Sequence, residues 1–146
     1  PSDWIDIPDD SMWNSGTEEA PVKTANDPCP SGWRVPTYSE LNVLITDHSD
    51  WTTNDGQRGY YYSGILTPTV YDTHPLGEDN PQVFLPAAGY RNGKSGNATN
   101  RDSDAYYWSS RPSDNNTSHL LFFGQYNVEM RNYSRADGCT IRCVQE

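Results

Sequence analysis

The feature that most constrains this chain is its shortage of aliphatic side chains. Ile, Leu, Val and Phe together supply only 22 of the 146 residues, and the formal net charge is -10. A chain with so little apolar material and so much charge is expected to be disordered. It also carries ten Tyr and five Trp, and each large aromatic side chain buries roughly 150–250 Å². We therefore predict a folded domain with a largely aromatic core.

The composition and the motif content argue against several functional classes. No stretch approaches the ~18 consecutive apolar residues of a membrane span. The ten basic residues are scattered and outnumbered two to one by carboxylates, which argues against nucleic-acid binding. No hydrolase, metalloprotease or phosphate-binding motif is present, and we predict no enzymatic activity. The chain starts at Pro1 without a signal peptide, so we expect a trimmed piece of a longer protein.

Periodicity predicts an α+β domain with one clear helix. A capping box formed by Thr37 and Glu40 precedes apolar residues at helical spacing, which predicts a helix over residues 37–48. Short aromatic runs predict strands at 60–63, 82–85, 105–109, 120–123, 126–130 and 140–144. Long loops at 65–81 and 90–104 separate them. Residues 1–26 are acidic and contain two Trp, so we predict a segment packed on a domain that spans 27–146.

The three cysteines leave two possibilities open. On a strand, Cys139 and Cys143 would lie about 13 Å apart, which is too far for a disulfide. At most one of them can therefore bond Cys29, and three reduced thiols are the alternative. Because the chain has no Cys-x-x-Cys motif and its three His are widely spaced, no zinc site is predicted.

Several blocks of sequence together carry a family resemblance. They are Asp-Pro-Cys-Pro-Ser-Gly-Trp-Arg-Val-Pro-Thr at 27–37, Val-Phe-Leu-Pro-Ala-Ala-Gly-Tyr-Arg at 83–91, Tyr-Trp-Ser-Ser at 107–110, and Ile-Arg-Cys-Val at 141–144 preceded by Arg135 and Gly138. In this order they resemble the Fibrobacter succinogenes major paralogous domain, a module of surface proteins from Bacteroides-type bacteria. The resemblance implies a C-type-lectin-like fold, related to formylglycine-generating enzymes and to the variable proteins of diversity-generating retroelements.

The resemblance also implies a disulfide and a location. It pairs Cys29 with Cys143, and Cys139 departs from the family pattern, being either free or the partner in place of Cys143. An extracellular or cell-surface location, associated with the outer membrane, is implied as well. Formylglycine-generating enzymes use a reactive cysteine pair, but Cys139 and Cys143 are too far apart on a strand to cooperate.

Lectin-like folds often hold calcium, and two loops carry possible oxygen ligands. One set is Asp72, Glu78, Asp79 and Asn80, and the other is Asn97, Asn100, Asp102 and Asp104. Neither has the spacing of an EF-hand loop. Asx residues are also common in turns for their own hydrogen bonding, so we predict no metal and no cofactor, with calcium as the alternative.

Residues 111–133 form the predicted binding surface. Strand alternation places Leu120, Phe122 and Val128 inward, and exposes Leu121, Phe123 and Met130 beside Tyr126 and Tyr133 as an apolar patch. Tyr with short polar residues is typical of adaptable binding surfaces. The candidate ligand-binding residues are Arg111, Ser113, Asn115, Asn116, His119, Leu121, Phe123, Tyr126, Asn127, Glu129, Arg131, Asn132 and Tyr133. The alternative is an ordinary hairpin that the rest of the domain covers.

These observations predict a non-catalytic extracellular domain that binds a glycan or protein ligand, for instance in cell adhesion. The alternative is a structural or assembly module of an adhesive surface fibre. The predicted core comprises Trp33, Trp51, Trp108, Leu41, Leu44 and Phe122. We expect neither nucleic-acid binding nor insertion of this segment into a membrane.

Overall fold

The structure is a computed structural model that describes residues 5, 7–46, 48, 50–63 and 82–146. Its regular elements within these residues are one short helix and ten mostly short strands, as the predicted α+β class requires. They are β1 (Trp33–Arg34), α1 (Tyr38–Asn42), β2 (Thr52–Asn54), β3 (Gln57–Ser63), β4 (Gln82–Pro86), β5 (Tyr90–Arg91), β6 (Ala98–Thr99), β7 (Asp104–Pro112), β8 (Thr117–Gly124), β9 (Asn127–Ser134) and β10 (Val144–Gln145).

The helix starts where the sequence predicts and ends earlier. The Thr37 side chain accepts a hydrogen bond from the Glu40 backbone N–H, and the Glu40 carboxylate accepts one from the Thr37 N–H, which completes the capping box. After Asn42 the chain continues as one 3₁₀ turn, Val43–Ile45. The predicted extension to His48 is wrong. The β-branched residues Val43, Ile45 and Thr46 follow one another closely here, and such residues have low helix propensity.

The strands form four small antiparallel sheets. The main sheet has the order β7-β8-β9, a second three-stranded sheet has the order β2-β3-β4, and two-stranded ladders join β1 to β10 and β5 to β6. The predicted strand at 140–144 is wrong as a continuous element. Thr140 makes only an isolated bridge to Tyr107, and Val144 begins β10. The predicted loop at 90–104 contains the β5-β6 ladder, and loop 65–81 lies outside the described residues.

Among the described residues, two clusters rich in aromatic rings form the core, one on each face of the main sheet. The first core includes Leu121 and Phe123 of β8 with Tyr60 and Tyr62 of the second sheet and Leu41 of α1. The second core joins Leu120 and Phe122 to Tyr106, Trp108 and Tyr133, with Trp13, Tyr90, Cys139 and Ile141 packed around them. Aromatic rings therefore supply the bulk that aliphatic residues lack.

Two of the three predicted core Trp side chains lie in the core. Trp108 is buried in the second core, and Trp51 packs against the first. The prediction for Trp33 is wrong, because 44% of this residue is exposed. Trp33 belongs to the short β1-β10 ladder, and no further layer covers its side chain among the described residues.

The N-terminal segment contacts the body through polar and apolar groups. Lys23 Nζ donates to the backbone oxygens of Cys29 and Trp33, at 2.6 Å in both cases. Asp10 pairs with Arg135, and Trp13 packs against the second core. The disulfide Cys29–Cys143 closes the domain beside the β1-β10 ladder, which confirms the pairing that the family resemblance implies.

Candidate ligand-binding surface

β8 is covered on both faces, and this decides which of its side chains reach the surface. Leu121 and Phe123 are fully buried in the first core, and Met130 packs against that core. The prediction that these three residues form an exposed apolar patch is therefore wrong. Sequence alternation separates the two faces of a strand, but it does not show that a second sheet covers the outer one.

The register of β8 and β9 also corrects the predicted faces. Phe123 pairs with Val128, and Phe122 pairs with Glu129. Val128 therefore lies on the face of Phe123, while Glu129 and Arg131 lie on the face of Phe122. The prediction that Val128 shares the inward face of Leu120 and Phe122 is therefore wrong, because simple alternation through the turn does not give the pairing register.

Three predicted contact residues on β9 are engaged within the domain. The Arg131 guanidinium lies 3.5 Å from the centroid of the Phe122 ring and pairs with the Glu129 carboxylate. Tyr133 packs edge-on against Tyr106, with 5.1 Å between ring centroids. These contacts hold the three side chains against the main sheet. The side chains therefore pack within the domain and do not project into solvent as free ligand contacts.

The other candidates divide between the two ends of the main sheet. We call residues 113–116, between β7 and β8, the distal turn, and residues 124–127, from the end of β8 to the start of β9, the tip turn. Arg111, Ser113, Asn115, Asn116, His119 and Asn132 lie at or near the distal turn, whereas Tyr126 and Asn127 lie at the tip turn. β8 has eight residues and is therefore about 25 Å long. The candidates do not form one continuous surface.

Polar groups of the distal turn are largely used by the turn itself. The Asp114 carboxylate accepts from the backbone N–H groups of Asn116 and Thr117, at 2.8 Å in both cases. These bonds hold the pKa of Asp114 below its usual value. Asn132 Nδ2 donates to Ser113 Oγ at 2.9 Å. The richness in Asx and Ser that the sequence showed here is a property of the turn.

Arg111 and His119 meet at Tyr38 of α1. The Arg111 guanidinium lies 5.2 Å from the Tyr38 ring centroid, and the His119 ring lies edge-on to the same ring at 5.0 Å. Burial, with a smaller effect from the Arg111 charge, lowers the pKa of His119. His119 is therefore largely neutral at pH 7, and these three side chains pack as one group.

The tip turn borders a groove that brings together residues from four parts of the chain. Tyr126 is 90% exposed, which is exceptional for so large a side chain. The groove has a volume of about 250 Å³. We call it the tip groove, and it is lined by Trp51, Arg58, Asp102, Ser103, Asp104, Gly124, Gln125, Tyr126 and Asn127.

Backbone contacts fix the tip groove in place. The Tyr60 hydroxyl contacts the carbonyl oxygens of Gly124 and Gln125 at 3.1 Å each. Asp102 lies in the left-handed region, with φ of 61°, and its N–H donates to the Ala87 oxygen at 2.8 Å. A Cβ on Gly124 would lie 2.8 Å from Asp104 Oδ1. The turn and the acidic loop are thus fitted to each other.

Sequence reasoning found only part of this groove. Tyr126 and Asn127 were candidate ligand contacts, and Asp102 and Asp104 were named as oxygen donors for calcium. Trp51 was assigned to the core, and Arg58 was not singled out. The Asp55-Gly56 turn, with both residues at positive φ, joins β2 to β3 and places Trp51 and Arg58 on one hairpin. An Asp-Gly turn is a local sequence signal for such a hairpin, whereas the contact of this hairpin with the tip turn through Tyr60 is long-range and has no local motif.

The structure gives no support to the second calcium set. Asn100 Nδ2 donates to the Tyr106 hydroxyl at 2.9 Å, so its amide serves the second core. Across the ranges described, no three His, Cys, Asp or Glu side chains are grouped so that they could hold a metal ion. The first set, Asp72, Glu78, Asp79 and Asn80, lies outside the described residues.

Cys139 is the free cysteine. Its thiol packs against the second core, and burial, with a smaller contribution from Asp137, raises its pKa. A thiol in this environment stays protonated at neutral pH, and the thiolate is the reactive form. Cys143 is committed to the disulfide, so the two cysteines do not form a reactive pair.

Comparisons with known proteins complete the description of the chain. No curated protein and no solved structure matches it. A search of the described residues found no helix with the length and apolar character needed to cross a membrane. A family model matches residues 8–145. The match begins within the predicted N-terminal segment, residues 1–26, so the boundary after residue 26 stays a prediction. Because the match spans nearly the whole sequence, the chain belongs to the Fibrobacter succinogenes major domain family.

Proposed function

We propose that this chain is a non-catalytic recognition domain that binds a glycan in the tip groove. The observation that carries the proposal is Tyr126, a residue 90% exposed at a groove lined by two carboxylates, two amide side chains and a guanidinium. Most of the other aromatic rings described in this domain are buried or half-buried in its core. A large exposed ring beside a groove offers a ligand an apolar contact face with a polar tip.

The chemistry of the groove suits a sugar. The flat Tyr126 ring offers an apolar face with a polar tip, and the C–H face of a pyranose can stack on it. Asp102, Asp104 and Asn127 line the same groove and accept hydrogen bonds from hydroxyl groups, while Arg58 donates. A small groove with one apolar wall and a few convergent polar groups fixes the orientation of such a ligand.

We also propose that the domain acts outside the cell and has a C-type-lectin-like fold. The Cys29–Cys143 disulfide supports export, because disulfides persist in oxidising compartments. The joining of the two ends of the domain by β1, β10 and this disulfide supports the lectin-like arrangement. We propose that the domain is part of a longer surface protein and that its ligand binding serves cell adhesion.

A glycan array tests this proposal. The wild-type chain should bind a defined set of glycans, and Tyr126→Ala should weaken binding to them at least tenfold. Tyr126→Phe keeps the ring and should retain most of the affinity. Asn115→Ala, at the distal turn, is the matched control and should bind like wild type. Absence of any glycan binding, or equal binding by Tyr126→Ala, would contradict the proposal, and binding of a host protein through Tyr126 would replace the glycan by a protein ligand.

One observation favours a structural role as the second candidate. Trp33 is 44% exposed on the ladder where the two ends of the domain meet, which is where a neighbouring domain of a fibre would pack. Trp33→Ser should then weaken assembly of the longer protein without changing glycan binding. Size-exclusion chromatography of the full-length protein measures this directly.

A further inference from the structure

A second concave site lies between the N-terminal segment and the main sheet, away from the tip groove. It has a volume of about 320 Å³, at the lower end of the range for small-molecule sites. We call it the N-terminal cleft. The residues that matter for its chemistry are Asp9, Trp13, Trp108, Ser110, Arg135 and Asp137.

Two Trp side chains give the cleft its apolar walls. Trp108 comes from β7, and Trp13 comes from the N-terminal segment, where it packs against the second core. Within the segment, Thr24 braces the chain beside Trp13: its N–H donates to the Trp13 oxygen at 3.3 Å and its hydroxyl donates to the Met12 oxygen. The Asp10–Arg135 ion pair ties the same wall to the main sheet. The walls are therefore in place before any ligand arrives.

Ser110 is the observation that points to a ligand. The residue is only 8% exposed, and its Oγ finds no hydrogen-bond partner within the part of the chain that the structure describes. Its backbone N–H is satisfied by the Pro36 oxygen at 2.8 Å. Buried hydroxyl groups are nearly always paired, because leaving one unpaired costs stability. Ser110 lines the cleft and its Oγ is inaccessible to solvent, so a ligand group meets this unpaired hydroxyl when the side chain rotates about χ1.

The charges around the cleft select the sign of that ligand. Asp9, Asp10 and Asp137 line it together with one cation, Arg135. Arg135 pairs with Asp10, which leaves two carboxylates in excess. Hydrogen bonds from Ser11 hold the pKa of Asp9 below its usual value, so Asp9 is ionised at neutral pH. Trp rings also attract cations through their faces.

We propose that the N-terminal cleft binds a small organic cation with an apolar ring, of the arylalkylammonium class, with the Ser110 hydroxyl as a hydrogen-bond partner. The ring packs between Trp13 and Trp108, and the ammonium group lies towards Asp9 and Asp137. No bond is made or broken. The cleft is independent of the proposed glycan site, since it shares no lining residue with the tip groove.

A nuclear magnetic resonance titration of the whole chain tests the site with three probes of matched shape. Phenethylamine is the cation, phenethyl alcohol the neutral analogue and 3-phenylpropionate the anion. Phenethylamine should shift the indole N–H signals of Trp13 and Trp108 in a saturable way, and bind about tenfold more tightly than the neutral probe. The anion should bind least. Unsaturable shifts, or equal affinity for the three probes, would overturn the proposal.

Variants separate a ligand role of Ser110 from a structural one. Ser110→Ala should weaken phenethylamine binding severalfold while the melting temperature stays the same or rises, because the variant removes an unpaired buried hydroxyl. Tyr62→Phe is the matched control, since the Tyr62 hydroxyl is also buried and without a hydrogen-bond partner among the described residues but does not line the cleft. It should leave phenethylamine affinity unchanged. Unchanged affinity in Ser110→Ala, or an equal loss in Tyr62→Phe, would overturn the proposal.

Asp9→Asn tests the charge preference without touching the core. It should reduce the affinity for phenethylamine and leave that for phenethyl alcohol unchanged. An equal effect on both probes would contradict the charge argument. Tyr126→Ala should not alter binding of either probe, so failure of this site and failure of the glycan site are distinguishable.

Discussion

The distal turn and the tip turn lie at opposite ends of the same sheet and use similar residues for different purposes. At the distal turn, Asp114 accepts two backbone hydrogen bonds and Asn132 donates to Ser113. At the tip turn, Tyr126 is 90% exposed and its neighbours line a groove. Polar turn composition therefore does not identify a binding surface. The informative signal is a large side chain that a backbone-anchored turn leaves exposed beside a groove.

The disulfide tests whether both turns depend on a common framework. Cys29 and Cys143 are 114 residues apart, and a closed loop of that length contributes about 4–5 kcal/mol to stability in the chain-entropy model. Reduction should therefore lower the melting temperature, by several degrees or more. Thermal unfolding with and without reductant measures this, and Cys139→Ser should be equally sensitive to the reductant. An unchanged melting temperature would show that the small core suffices alone.

Phe123 and Tyr126 offer the sharpest contrast between a buried and an exposed aromatic residue. Phe123 is fully buried and contacts the rings of Tyr60 and Tyr107, so Phe123→Ala should reduce the free energy of unfolding by about 3–5 kcal/mol. Tyr126→Ala should change it by less than about 0.5 kcal/mol. Urea unfolding of both variants measures the difference. Similar costs would mean that Tyr126 has a structural role.

This contrast also marks how far the sequence predicts the fold. The capping box at Thr37, the strands around 105–109 and 120–123, and the need for an aromatic core are encoded locally, and the structure confirms them. The exposure of Trp33 and the burial of Leu121 are not local properties. They depend on whether other elements of the fold cover a given face. Period-two alternation separates the two faces of a strand but does not show which face is covered.

The candidate site also combines residues that the local sequence predicts with residues that only long-range packing brings in. Tyr126 and Asn127 were predicted as contacts from composition, because Tyr with Asx residues is typical of adaptable surfaces. Trp51 and Arg58 belong to the local β2-β3 hairpin, and it is the packing of this hairpin against the tip turn that is long-range. For Asp114 and Ser113, composition was misleading, since the same residue types also build turns.

Gly124 tests how closely the tip groove is fitted. A Cβ at this position would lie 2.8 Å from Asp104 Oδ1, and that carboxylate group can move. Gly124→Ala should therefore cost no more than about 1 kcal/mol in stability while lowering the affinity for a glycan found on the array. Isothermal titration calorimetry measures the affinity. Unchanged affinity would mean that the position of the Asp104 carboxylate is irrelevant to binding.

Asp114 should give the smallest effect, confined to the distal turn. Its folded pKa is lowered by the hydrogen bonds from Asn116 and Thr117. Its contribution to stability is therefore fully present above the unfolded pKa of about 3.9 and is lost as the pH falls through the folded pKa. Asp114→Ala should melt below wild type at pH 7, and the difference should shrink below about pH 4. A difference that grows on acidification would contradict this reasoning.

The most direct test of the proposed site is the pattern of backbone amide shifts when an array-identified glycan is added to the isotope-labelled chain. If the tip groove is the binding site, the amides of residues 102–104 and 125–127 shift, and those of the distal turn, 113–116, do not. Shifts centred on the distal turn, with residues 125–127 unchanged, would contradict the assignment of ligand binding to the tip groove.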